Sequence, residues 1–215
     1  KSFSDKFYET VNTPPIEEKL FLLVPPITEG HQRCRVIEKN QASTSTKEVF
    51  VDVPVREGEL MWKEAGLNMV AVINRYGGDS HATGLVSGTV IKNGAFASSY
   101  AHDHHNLLVI GDNVRDMMKA ANWVIKYQGG MVLVSYGDIE ACLPLPIGGL
   151  LNENCVQEVA KASAAVKDAL INHGFKSTNP IMSICTVTLP VSPALKITDK
   201  GLIDTLKLQI VPLFV

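Results

Sequence analysis

From residue 107 onward, the rhythm of apolar and polar positions changes at short intervals. Leu107-Leu108-Val109-Ile110 is a continuous apolar run of strand length. Val114, Met117, Met118, Ala121, Val124 and Ile125 then recur at helical spacing through Tyr127, with Asp112 or Asn113 placed to cap the first turn. Gly129-Gly130 ends that helix. Residues 131–135 predict a strand, Tyr136-Gly137-Asp138 a turn, and residues 139–143 its hairpin partner. A second helix follows, with Asn154 as cap and Gln157 three positions on as its capping-box partner. Val156, Val159, Ala160, Ser163, Val166 and Leu170 mark its buried face, and Gly174 closes it. Residues 107–171 are therefore expected to run β-α-β-β-α.

Before residue 107 the pattern predicts strands. Arg33-Cys34-Arg35-Val36-Ile37 is the first, and residues 48–55 alternate as a half-buried strand with Pro54 at its end or on an edge. Residues 41–47 are polar and suit a loop between the two. Residues 67–74 are nearly continuous in apolar side chains, as in a central strand covered on both faces. Gly84, Gly88 and Gly94 punctuate Leu85-Val86 and Val90-Ile91 into short strands joined by turns. Residues 181–189 are apolar and fit either strand or helix, with β-branched content favouring strand, and residues 208–215 predict a final strand. Residues 1–30 hold four of the 11 prolines and show little periodicity, so they are expected as an extended linker, with residues 21–24 an edge strand or an anchor. The fold class is mixed α/β (α+β): a multi-stranded mixed sheet with at least two packed helices.

Composition narrows the partners. With 215 residues, 46 % of them apolar, a sizeable core is within reach. A net charge of −2 gives no electrostatic case for nucleic acid. No apolar run reaches the roughly 20 residues of a membrane span. Cys34, Cys142, Cys155 and Cys185 form no C-x-x-C pair and read as free thiols of a reducing cytoplasm.

The candidate chemistry lies in Ala101-His102-Asp103-His104-His105-Asn106, which holds three of the six histidines. Imidazole and carboxylate move protons and hold metals near neutral pH. His102 and His104 have the spacing of a metal pair on one strand face, but no second cluster of His, Cys or Asp supplies the missing ligands. Proton transfer by the cluster is the favoured reading, with structural histidines as the plainer one. His31, His81 and His173 are expected at the surface.

Ala101-His102-Asp103-x-His105-Asn106 before an apolar strand and Gly111 resembles the C-terminal domain of bacterial adenine deaminase. So do Leu143-Pro144-Leu145-Pro146-Ile147-x-Gly149-Leu150, Asn74-Arg75-Tyr76-Gly77, Lys196-x-Thr198-Asp199-x-Gly201-Leu202 and the closing Val211-Pro212-Leu213-Phe214-Val215. The likeness spans about residues 30–215. His104 departs from the pattern, where the family usually carries Ser. The resemblance implies a cytoplasmic, homo-oligomeric enzyme of the amidohydrolase superfamily that hydrolyses adenine to hypoxanthine and ammonia. It also implies that a manganese or iron site lies in a barrel preceding residues 31–215 in the same polypeptide, with residues 1–30 as the link. On this reading the chain binds no metal itself and has no activity alone. His102, Asp103 and His105 are the expected catalytic residues, and Asn106 and Arg75 the expected substrate-binding ones. The competing expectation is a non-catalytic module that stabilises the barrel or builds the oligomer.

Overall fold

A computed structural model describes residues 3–39, 43–88 and 90–215. Its strands are β1 (Gly30–Lys39), β2 (Thr46–Arg56), β3 (Glu59–Leu60), β4 (Asn68–Ile73), β5 (His81–Gly88), β6 (Ala95–Ser98), β7 (Leu107–Gly111), β8 (Gly130–Ser135), β9 (Asp138–Pro144), β10 (Leu195–Thr198), β11 (Gly201–Asp204) and β12 (Gln209–Val211). Its helices are α1 (Val114–Lys126), α2 (Val156–Asn172) and α3 (Pro180–Cys185). The first nine strands form one sheet in the order β3-β2-β1-β5-β4-β7-β6-β8-β9, and β10-β11-β12 form a second. Every neighbouring pair of the large sheet is antiparallel except β1 and β5.

The mixed α+β expectation holds, and so does the run β7-α1-β8-β9-α2. Asn113 caps α1 by accepting a hydrogen bond from Asp116 N at 2.8 Å. β4 is central, and its six residues are all buried because both sheet faces are covered. Val70 and Val72 face a core shared with α2, α3 and the small sheet through Val166, Leu170, Ile184 and Ile197. Met69, Ala71 and Ile73 face the other core, against Met117, Ala121 and Val124 of α1 and the anchor Phe21. This alternation is the period-2 rule of a strand acting in two directions at once.

Several expectations need correction. Residues 181–189 form α3 and a 3-10 turn over Thr186–Thr188, not a strand. Asn179 accepts from Met182 N at 3.3 Å and Pro180 occupies the first turn, so the start signal outweighs β-branched content. The cap of α2 is Cys155, without a side-chain bond, and Asn154, one position earlier, donates its backbone N to Asn152 Oδ1 at 2.7 Å. Val90-Ile91 is not a strand: the Asn68 side chain bonds both Ile91 N and Ile91 O, at 2.7 and 2.9 Å, and takes the place of a neighbouring strand. The final strand is only β12. Past Pro212 the chain crosses to β1, where Leu213 O accepts from Arg35 N at 2.7 Å and Val215 N donates to Arg33 O at 3.0 Å. Of the polar loop expected at 41–47, residues 41 and 42 lie outside the described residues, and Thr46 already opens β2.

Residues 3–29 contain two 3-10 turns, Asp5–Tyr8 and Glu18–Phe21, and bury Val11, Ile16 and Phe21 on the domain. His31 and His81 are exposed, but His173 is not: its side chain is 13 % exposed. His173 Nδ1 meets Lys92 O at 2.7 Å and Nε2 meets Glu140 at 2.9 Å, so it ties the end of α2 to β9. Burial alone would push its pKa down, yet the Lys92 carbonyl, Glu140 and Asp112 raise it above the ordinary 6.5. A raised folded pKa favours the protonated fold. The stabilisation is therefore complete below about pH 6.5 and is lost as pH rises through the folded value. His173→Ala is expected to cost about 1 kcal/mol in urea unfolding at pH 6 and less at pH 8.5. Equal costs at both pH values would remove the charge from the account.

Candidate functional site

The loops that carry the sequence motifs gather at one end of the large sheet. Ile73 at the end of β4 pairs with Leu107 at the start of β7, Ser98 at the end of β6 with Met131, and Gly130 with Pro144 at the end of β9. The segments 74–80, 99–106, 127–129 and 145–151 therefore meet there, and the N-terminal segment crosses them through Asn12 N→Arg75 O at 2.7 Å and Gly148 N→Phe7 O at 2.6 Å.

Arg75 is the knot of this end. It is 2 % exposed, and all three guanidinium nitrogens donate within the chain. Nε bonds His105 O, Nη1 bonds Thr10 O and Oγ1 at 3.0 Å each, and Nη2 bonds Gly148 O at 2.9 Å and the Tyr76 hydroxyl at 3.3 Å. The Tyr76 hydroxyl in turn donates to His104 O at 3.0 Å. The planar fork of arginine suits one centre that must satisfy carbonyls from three directions. No nitrogen of Arg75 is left over for a ligand as the chain stands.

The histidines lie in the turn between β6 and β7, not on a strand, so the alternation that would put His102 and His104 on one face does not apply. The loop instead splits. His102 and Asp103 face outward, with side chains 53 % and 60 % exposed and His102 Nε2 2.5 Å from Asp103 Oδ1. His104, His105 and Asn106 turn inward. His104 Nδ1 accepts from Asn106 N at 2.9 Å, and the His105 ring packs 5.7 Å from Tyr100 and 6.1 Å from His102. Burial pushes both inner imidazoles below the ordinary histidine range. His105 adds to the effect on His104, and Arg75 and His102 add to it on His105. Burial thus favours the neutral form of both.

Among the described residues, four buried side-chain polar atoms have no hydrogen-bond partner, and three belong to this loop: His104 Nε2, His105 Nδ1 and Asn106 Oδ1. The Thr188 backbone is near enough to His104 to favour its charged form without closing a hydrogen bond to Nε2. Buried polar atoms are ordinarily satisfied, so such a concentration marks the loop as unusual. Among the described residues no three His, Cys, Asp or Glu side chains converge to hold a metal ion. The reason is visible in the loop: His102 is turned to Asp103, and His104 Nδ1 is taken by a backbone N–H.

Sequence reading missed three contributors. Thr10 and Tyr76 complete the Arg75 knot. Asp199, in the β10–β11 turn, accepts from Ser80 Oγ at 2.5 Å and lends a negative charge to His104. Burial works against the Asp199 carboxylate, but Ser80 and Lys200 hold it below the ordinary range. Its only advance signal was its place in the Thr198-Asp199-x-Gly201 turn.

Comparison with known proteins bears on this arrangement. Residues 43–209 match the family model described as the adenine deaminase C-terminal domain. Adenine deaminase 2 of Shouchella clausii is 45 % identical over 216 residues, covering 100 % of this chain. The chain belongs to the adenine deaminase C-terminal domain family. Adenine deaminases of Clostridium perfringens and Moorella thermoacetica are each 41 % identical, over 97 % and 93 % of the chain. The chain spans only 38 %, 37 % and 34 % of these three relatives' lengths. Of its helices, none is long and apolar enough to cross a membrane among the described residues.

Proposed function

We propose that this chain is the C-terminal part of an adenine deaminase and that its His102–Asp103 pair completes the active site of the preceding domain in the same polypeptide. The whole protein hydrolyses adenine to hypoxanthine and ammonia, with its metal, manganese or iron, held outside this chain. The observation that carries the reading is the outward-facing His102–Asp103 pair on a loop whose other half is locked from behind by Arg75. A carboxylate that accepts the Nε2 proton fixes the tautomer and leaves Nδ1 as the acceptor. Such a group suits proton movement between water and a leaving amine. His105 orients His102 from behind, while Asn106 and Arg75 position the loop where substrate would bind.

In the polypeptide that includes the preceding domain, His102→Ala is expected to lower kcat by about 100-fold. Asp103→Asn is expected to lower kcat as well, by less than His102→Ala. Both residues are exposed, so unfolding midpoints should stay put. Unchanged kcat, KM and pH profile in both variants would take the loop out of the chemistry and leave a purely structural module.

A further inference from the structure

Helix α2 packs on the domain along Val159, Ala162, Val166, Ala169 and Leu170, but beside that face its first turns leave apolar side chains uncovered. Of Val156, Val159, Ala160, Ser163, Val166 and Leu170, Val166 and Leu170 are buried and Val159 is partly buried against the core, while Val156 and Ala160 are exposed. Val156 is 78 % exposed, and Leu151 just before the helix is 54 % exposed. Between them runs a groove of about 410 Å³ whose walls include Leu145, Leu150, Leu151, Val156, Val159 and Ala160. Phe3 and Phe7 extend this apolar surface: they pack edge to face at 6.1 Å, each about half exposed, beside the 148–151 loop through Gly148 N→Phe7 O. The same loop holds Gly148 O, an acceptor for Arg75.

We propose that this groove seats an apolar surface of the domain that precedes the present one in the same polypeptide. Three observations select that occupant. At the start of α2, Val156 and Ala160 stand exposed beside the face that Val159 and Ala162 turn to the core, as expected of a helix also covered by something outside this domain. Contiguous exposed apolar surface of this kind marks an interaction face. The matched family is by description a C-terminal domain, and 62–66 % of the three relatives' lengths lies outside the match (100 − 38 and 100 − 34), so a large partner in cis is at hand. The groove is also continuous, through Gly148 and Arg75, with the loop that presents His102 and Asp103. This inference rests on the chain being part of a longer polypeptide, as the proposed function does.

Cys155, exposed at the N-cap of α2 between groove residues Asn154 and Val156, reports on the seat. In the longer polypeptide, maleimide labelling resolved by peptide mass spectrometry should find Cys155 at least tenfold slower than after unfolding, close to buried Cys34 and Cys185. The protection should not change on dilution. Leu151→Asp with Val156→Asp, both at exposed positions, should restore Cys155 labelling while Cys34 stays protected. Free reaction of Cys155 in the wild type overturns the proposal. So does protection that fades on dilution, which would indicate a second copy, and so does protection that survives the double substitution. None of these outcomes alters the His102 test, so the two readings can fail separately.

Discussion

Arg75→Ala is expected to lower the unfolding free energy by about 3 kcal/mol or more, read from urea denaturation. The residue is almost wholly buried, and burial pushes its pKa down, with Tyr76 opposing. Among the described residues no carboxylate acts on it, and its charge is met by carbonyl and hydroxyl dipoles and by the Tyr76 ring, whose centroid lies 4.6 Å from the guanidinium carbon. Truncation would leave Thr10 O, His105 O and Gly148 O without this donor, and these three carbonyls come from segments far apart in the chain. Each bond to a charged group is worth about 1.5–3 kcal/mol, and relief of guanidinium desolvation offsets only part of the loss. Arg75→Lys should recover less than half, because three donors on a flexible stem cannot replace a planar fork. The variant should also free residues 3–13 to proteolysis, since Thr10 is held there. An unchanged urea midpoint would show that the knot contributes nothing to stability.

Gly129→Ala should be of similar size for a different reason. At φ +126° an L side chain is strained, and a Cβ would stand 2.4 Å from Gly149 Cα and 2.6 Å from Leu145 O. Both neighbours are backbone and cannot swing aside. Strain of about 1–3 kcal/mol and overpacking of about 1–3 kcal/mol both apply. Gly148→Ala is the internal control: its φ of +65° is also left-handed, but nothing lies within 4 Å of the added Cβ. That variant should lose only about 1 kcal/mol. Equal midpoint shifts for the two variants would mean that the close approach of the 129 and 149 backbones plays no part. The contact matters for the site because Gly149 also packs against the Arg75 guanidinium.

Much of the framework was legible because its signals are local. The run β7-α1-β8-β9 was readable from a switch between periods, an Asn cap and two Gly-containing turns. The small sheet was missed as such, because β10, β11 and β12 are short and Pro212 truncates the last. Residues 181–189 misled because side-chain shape was weighed above the Asn179-Pro180 start. The buried face of α2 was read only in part: Val159, Val166 and Leu170 turn to the core, but Val156 and Ala160 are exposed and Ala162 and Ala169 take their place.

The site divides along the same line. Order along the chain was enough to place His102, Asp103 and His105 in one loop and to tie that loop to a family, since a motif is a statement about neighbours in sequence. Which of those imidazoles faces water, which is held neutral, and why Arg75 is consumed by its own chain depended on Thr10, Tyr76, Gly148 and Asp199 arriving from tens of residues away. Burial and charge act through space, so only the assembled sheet end could assign them.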